Sequence, residues 1–243
     1  MSLKFKHFIQ VFKSKKSEYP KEDLEKAYNN LHVSFSQDGE DIAIGKMVFD
    51  QILPYDGFYV DVGAFHPFVC SNTCLLHLIG WRGINVDANP TSIEKFNEIR
   101  PSDINVCSGV SKSSGQFKYH IFNFEGINTF CDERKAIMIE KGFEFLGSRT
   151  VQCQRLNTLL DEHLDVGQKI DFLNIDVEGK DEEICLDFNW EKYMPTVVCI
   201  EVLAEDIEEL ASTNIHKCMK SNDYILKSYL DMSALYVHRS SLK

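Results

Sequence analysis

The chain has 243 residues, of which 44% are hydrophobic and 26% charged, and its formal net charge is −11. That length and balance suit one large domain with a sizeable core. The acidic excess argues against a nucleic-acid partner, which demands a basic face, and no apolar run approaches the ~20 residues that span a bilayer.

The opening segment, "MSLKFKHFIQVFKSKKSEYPK", lacks the apolar core and small-residue cleavage site of a signal peptide. Lys4, Lys6, Lys13, Lys15, Lys16 and Lys21 alternate there with Phe5, Phe8, Ile9, Val11 and Phe12. Residues 1–35 are read as a basic helical arm, with the domain proper over 36–243. Residues 1–21 have the pattern of an amphipathic helix in weak peripheral contact with anionic lipid, and equally of a solvated terminal helix.

Alternating elements follow. "EDIAIGKMVFDQIL" has helical spacing at Ile44, Met47, Val48 and Ile52. "GFYVDVGA" is the first strand, followed by a helix from about Ser71 that Gly80 ends. "RGINVDAN" is the second strand, and Pro90 opens its helix, "PTSIEKFNEIR". "DINVCSGVS" is a third strand and "QFKYHIF" a further β-element. Residues 123–150 break the rhythm and are read as a loop-and-helix insertion on the substrate side. The alternation resumes with "TVQCQRL", the helix "NTLLDEHL", the strand "KIDFLNIDVEG", the strand "PTVVCIEV", one long helix "EDIEELASTNIHKCMKSN" and a closing hairpin, "YILKSYLDMSALYVHR". Such alternation implies an α/β domain with a parallel sheet covered on both faces, to which the hairpin adds an antiparallel strand. The eight cysteines include no C-x-x-C pair and read as reduced thiols in a cytoplasmic protein.

In open α/β sheets ligands sit beyond the carboxyl ends of the strands. The predicted strands deliver Asp61, Gly63 and the His66 loop, then Asp87, then Ser108 and Gly109, then Asp176 and Glu178, then Glu201. Asp87 follows Gly63 by 24 positions, the place of an acid that accepts bonds from ribose hydroxyls. A pyrophosphate requires bare backbone at G-x-G-x-x-G. Here Gly63 is followed by Ala64, Phe65, His66, Pro67 and Phe68, so a nucleoside carrying an amino acid, as in S-adenosylmethionine, fits better than a dinucleotide.

The motifs "SQDGED", "VDVGAFHP", "SNT", "GWRGINVDANP", Arg100–Pro101, "IDFLNIDVEG" and "PTVVCIE", in order from residue 36 to 201, resemble those of the FkbM-type S-adenosylmethionine-dependent methyltransferases. The resemblance implies a class I, Rossmann-like methyltransferase fold with a mostly parallel seven-stranded sheet. It also implies O-methylation of sugars, glycans or natural products. By motif, Asp61 and Gly63 would shape the methionine pocket, Asp87 would hold the ribose, and Ser108 and Gly109 would flank the adenine. Ala64, Ala88, Asn72 and Thr73 complete the expected cofactor set with Asp176, and Gln37 and Asp41 fall near the cofactor's amino-acid end.

An aliphatic hydroxyl is a weak nucleophile, so a base beside it helps by ~10²–10⁴-fold. His66, Asp176 and Glu178 are the catalytic candidates. His66 is favoured as base, because a neighbouring sulfonium keeps a histidine neutral and a carboxylate ionised. Asp176, Glu178 and Glu201 are placed to form an oxygen cage, yet their spacing is not diagnostic and no metal is assigned. The expected partner is a small-molecule or glycan acceptor, not nucleic acid. Two rival readings are a nicotinamide oxidoreductase and a non-catalytic domain of the same fold.

Overall fold

The structure, a computed structural model, describes Glu22 and residues 32–242. The basic arm and its lipid contact therefore lie outside the described residues, apart from the exposed, helical Glu22. The chain divides between Val33 and Ser34, slightly ahead of the expected boundary. Asp41 explains the shift: its carboxylate accepts from Ser34 Oγ at 2.7 Å, Phe35 N at 2.7 Å and Ser36 Oγ at 2.9 Å, which ties residues 34–36 to the domain.

The first helix of the domain, α1 (Glu40–Phe49), buries Ile44, Met47 and Val48. Next come β1 (Phe58–Val62), α2 (Cys74–Leu78), β2 (Arg82–Asp87), α3 (Pro90–Ile99) and β3 (Ile104–Cys107). Pro90 stands in the first turn of α3, and the Asn89 side chain caps it by accepting from Thr91 N. The two-residue β4 (Gly109–Val110) and the longer β5 (Gly115–Phe122) lead to α4 (Asp132–Glu140), β6 (Phe145–Gln154) and α5 (Leu156–His163). The chain then runs through β7 (Phe172–Ile175), α6 (Asp181–Asp187), α7 (Trp190–Tyr193) and β8 (Val197–Glu201). It ends with α8 (Ile207–Ser212), α9 (Asn214–Ser221) and the hairpin β9 (Tyr224–Leu230) to β10 (Ser233–His238).

Seven strands form the main sheet in the order β3-β2-β1-β7-β8-β10-β9. The first five are mutually parallel, and β10 is antiparallel to both β8 and β9. Numbered within this sheet alone, the order opens 3-2-1-4-5, that of a doubly wound Rossmann-like fold, and the hairpin occupies the far edge. Successive residues of one strand enter different cores. Val60, Val62, Val198, Ile200 and Tyr236 pack with α5, α6 and α9, whereas Tyr59, Val197, Cys199, Leu235 and Val237 pack with α1, α2 and Trp81. The expected α/β class, parallel sheet and closing hairpin are all present.

Three expectations need correction. "DINVCSGVS" is not one strand, because β3 ends at Cys107 and β4 joins a second sheet of order β4-β6-β5. Residues 123–150 are not merely loop and helix, and "TVQCQRL" does not enter the main sheet. Both contribute to β6, which pairs antiparallel with β5 along its length. With one face solvated and Gly147 inside it, β6 shows only weak apolar alternation in the sequence. Finally, the long helix after Glu205 is two, broken where Thr213 turns extended and its Oγ1 accepts from His216 N at 3.1 Å to cap α9.

Gly63 marks where β1 and β7, the neighbours at the reversal of strand order, come closest. Its φ is +85°, and a Cβ there would lie 1.6 Å from the Asp176 carbonyl oxygen. Gly80 has φ +112° with nothing within 4 Å of its would-be Cβ. Gly80→Ala should therefore cost only the ~1–2 kcal/mol of left-handed backbone. Gly63→Ala must also move a strand end and should lower the urea midpoint far more, or prevent folding. Equal midpoints in the two variants would refute the close approach.

Candidate active site

After β1, where a dinucleotide fold keeps free amides for phosphate, the amides from Gly63 to Val69 are already engaged. Gly63 N and Ala64 N both donate to Val86 O at 2.9 and 3.1 Å, and His66 N donates to Ala64 O at 2.6 Å. Phe65 N donates to Asp87 Oδ2 at 2.9 Å. Phe68 N and Val69 N donate to His66 Nδ1 at 3.0 and 3.2 Å, and Pro67 has no amide hydrogen. The next helix, α2, starts only at Cys74. No pyrophosphate cradle exists here, which agrees with the glycine count.

The same bonds remove His66 from the chemistry. An Nδ1 that accepts two amide hydrogens carries no proton, so in the neutral ring the proton sits on Nε2. Neither nitrogen is then free to take another, and burial lowers the ring's affinity for protons further. His66 lines neither cavity described below. Its expected role as base is replaced by that of a turn organiser.

Beneath this loop lies a buried polar network. Asp61 accepts from Thr73 Oγ1 at 2.6 Å and from Asn174 Nδ2 at 2.9 Å, and Asn72 Nδ2 donates to Asn174 Oδ1 at 3.0 Å. Arg100, fully buried, donates to Thr73 Oγ1 at 2.9 Å, Pro67 O at 2.5 Å and Ser71 Oγ at 3.3 Å, stacked over the Phe96 ring at 5.1 Å. Asp61 and Thr73 were expected to touch cofactor. They touch each other instead and hold the loop, and Ala64 and Asp41 likewise lie outside the cavities.

The first cavity, about 450 Å³ and open to solvent, is bounded by Gly63, Asp87, Ala88, Ser108, Gly109, Asp176 and Glu178 from the expected set. Asp87 Oδ1 accepts from Asn89 N at 2.6 Å, so amides anchor both its oxygens and orient the carboxylate. Burial pushes its pKa up to about 6. Tyr119 of β5 and Gly126, Asn128 and Phe130 of the segment that follows it also line this cavity. Phe124 packs edge-on to Phe65 at 5.8 Å at the mouth. From β6, Arg149 stacks over Tyr119 at 5.6 Å and donates to Ala88 O at 3.1 Å, which ties β6 to the end of β2.

A second cavity of about 430 Å³ shares Asp176 and Glu178 with the first and reaches Gln37, Glu40, Asn72, Glu201 and Ser233. Carboxylates crowd the junction. Arg134, from α4, answers them: it donates to Glu178 Oε2 through Nε at 3.0 Å and Nη2 at 2.5 Å, and to Glu201 Oε1 through Nη2 at 2.9 Å. Burial, then repulsion from Glu201, raises Glu178 to about 7 despite Arg134. Asp176 has no side-chain hydrogen-bond partner among the described residues, and burial followed by Glu201 and Glu178 lifts its pKa well above the usual range.

Asp176, Asp181 and Glu201 each bring one oxygen within 4.8 Å of the others, a spacing that could hold a cation. In this set Asp181 stands in place of the expected Glu178, whose Oε2 is bound by Arg134. Asp181 also orients the turn that carries Glu178, accepting from Val177 N at 2.9 Å and Gly179 N at 3.0 Å.

Strand-end reasoning therefore assembled the acids and missed the clamp. Arg134 sits in the stretch read as irregular insertion, within the charged run Asp132–Glu133–Arg134–Lys135, where nothing in the sequence singles it out for a buried partner. Arg134 and Glu201 are nearly fully buried, so removing the cation strands two acids and should cost about 3–5 kcal/mol. Urea denaturation of Arg134→Met near pH 7 checks this. The deficit should shrink as pH falls and the stranded acids gain protons, and an equal deficit at both ends of the pH range would contradict the clamp.

Among curated proteins none matches the sequence closely enough to count as a relative. A family model does match: residues 61–226 fit the methyltransferase FkbM domain. The match omits the Ser36–Asp41 motif and extends past Glu201 through α9 into β9. It takes in the Gly63 turn, Asp87, the second sheet, Arg134 and the Asp176–Glu178 acids, and covers well over half of the chain, which belongs to the FkbM methyltransferase family.

Proposed function

We propose that the protein is an S-adenosylmethionine-dependent O-methyltransferase that acts on a hydroxyl of a sugar, glycan or natural-product acceptor in the cytoplasm. One observation carries the reading. A cleft with an oriented acid at the end of β2, beside a loop whose amides from Gly63 to Val69 are already engaged, opens directly onto carboxylates of raised pKa. Asp87 offers both oxygens to vicinal hydroxyls, while Gly109 lets β4 pack tightly on β6 beside the cleft, since a Cβ there would meet Cys153 Sγ at 2.3 Å. A nicotinamide cofactor has less support because the loop after Gly63 has its amides engaged through Val69.

When bound, S-adenosylmethionine supplies a methyl group on a positively charged sulfur, with the driving force for transfer built in. The chain's own residues position the acceptor and take its proton. Orientation alone can contribute ~7–11 kcal/mol. Glu178 is the base we favour: its Oε1 has no hydrogen-bond partner among the described residues, Arg134 fixes its other oxygen, and at about 7 its pKa matches neutral operation. Asp176, whose carboxyl burial favours in the protonated form, is suited to donate a hydrogen bond to the acceptor.

Calorimetry with S-adenosylhomocysteine tests the cofactor half. Asp87→Ala should fold and lose about 1.5–3 kcal/mol of affinity, as for charge-assisted hydrogen bonds, and NAD should not bind. The sign of the pH effect is fixed as well. Only ionised Asp87 accepts both hydroxyls, so affinity should be level above pH 7 and fall about tenfold per unit below the pKa of about 6. Unchanged affinity in Asp87→Ala would remove the assignment. A labelled-methyl screen over hydroxylated acceptors tests the other half: binding without transfer to any of them would favour the non-catalytic domain. With an acceptor in hand, Glu178→Gln should lose at least ~10²-fold in turnover with cofactor affinity kept.

A further inference from the structure

Away from the cleft, two thiols meet between helices α6 and α9. The helices run side by side, fixed by two contacts a turn apart. Asn214 Nδ2 donates to Glu182 Oε1 at 3.1 Å, and Cys218 Sγ donates to the carbonyl of Cys185 at 3.7 Å. That contact puts the Cys218 sulfur against the Cys185 residue itself, so the two thiols influence each other's ionisation. Cys185 is fully buried, whereas Cys218 is partly open to solvent. Trp190 Nε1 caps the Cys185 carbonyl at 2.9 Å, and Asn222 Nδ2 donates to Cys218 Sγ at 3.7 Å.

We propose that Cys218 and Cys185 form a thiol–disulfide couple, with Cys218 reacting with a low-molecular-weight disulfide such as oxidised glutathione and Cys185 closing a cross-link between α6 and α9. The Cys218 thiolate attacks one glutathione sulfur, the S–S bond of the oxidant breaks, and one glutathione leaves as thiolate. The Cys185 thiol then loses its proton to that thiolate or to water and attacks the Cys218 sulfur, which releases the second glutathione. Two protein thiols are oxidised by two electrons and one disulfide is reduced.

The surroundings divide the labour. Hydrogen bonds from Cys185, Trp190 and Asn222 lower Cys218 to about 7, which gives it substantial thiolate at neutral pH. The bond to Cys218, burial, and the charges of Glu182 and Asp181 raise Cys185, which keeps it a protonated resolving thiol until its partner is modified. Cys70 and Cys107 are more exposed, yet each has its thiol pushed up by burial first and then by nearby acids. Exposure alone would select them; the thiolate selects Cys218.

The test uses the full chain, reduced, incubated with oxidised glutathione near neutral pH and mapped by non-reducing peptide mass spectrometry. A Cys185–Cys218 linked peptide that dithiothreitol reverses is the expected result. In Cys185→Ser, Cys218 should accumulate as the mixed glutathione disulfide. Iodoacetamide should alkylate Cys218 roughly tenfold faster than Cys70, its rate rising through an inflection near the pKa of about 7. Cys218 remaining free while Cys70 or Cys107 carries glutathione would overturn the couple. Because replacing buried Cys185 can disturb the helix pair, the wild-type map decides alone: absence of the linked peptide also overturns it.

Discussion

A single guanidinium holds the acidic end of this cleft together. Asp176, Glu178, Asp181 and Glu201 converge because β7 and β8 are adjacent parallel strands and both end there. Parallel pairing cannot separate them, and burial cannot tolerate all of them ionised. Arg134 resolves the conflict for two of the acids, and raised pKa values resolve it for others. The second sheet follows from this requirement, since it is β5 and β6 that carry α4, and with it Arg134, over the strand ends. What reads as an insertion is therefore half of the site.

The opposite end of the cleft is built on neutral ground. Amide donors from Phe65 and Asn89 fix Asp87, and a fully buried arginine locks the loop above it through Thr73, Ser71 and Pro67. The loop after β1 is thus a rigid wall with its polar groups turned inward. One end of the cleft is oriented to accept hydroxyl hydrogens and the other carries proton-hungry carboxylates. That division suits a nucleoside cofactor on one side and an alcohol on the other.

The main sheet was legible in the sequence because its strands are short apolar runs ending in acid or glycine, and buried parallel strands have few other ways to read. The acids at the strand ends were legible for the same reason. The second sheet was not, because β6 exposes alternate residues and interrupts its pattern with Gly147 and Ser148. Arg134 and Arg149 are invisible to strand-end logic, since their partners lie dozens of residues away. The sequence presents His66 as a free histidine in a ligand loop. Its two amide partners, Phe68 and Val69, are a matter of local turn geometry that spacing does not reveal. Asp61 and Thr73 mislead in a similar way, because a motif position can be occupied for the sake of the loop that bears the ligand.

The central claim is that crowding among buried carboxylates, set by strand topology and tempered by Arg134, keeps a proton-accepting group poised at Glu178. Carboxyl-carbon NMR of the protein with ¹³C-labelled glutamate, assigned through Glu178→Gln, measures it without any substrate. The account predicts that the Glu178 signal titrates near the pKa of about 7, with a smaller response as neighbouring acids change charge. A Glu178 signal that titrates near the ordinary glutamate value of about 4.3 would contradict it.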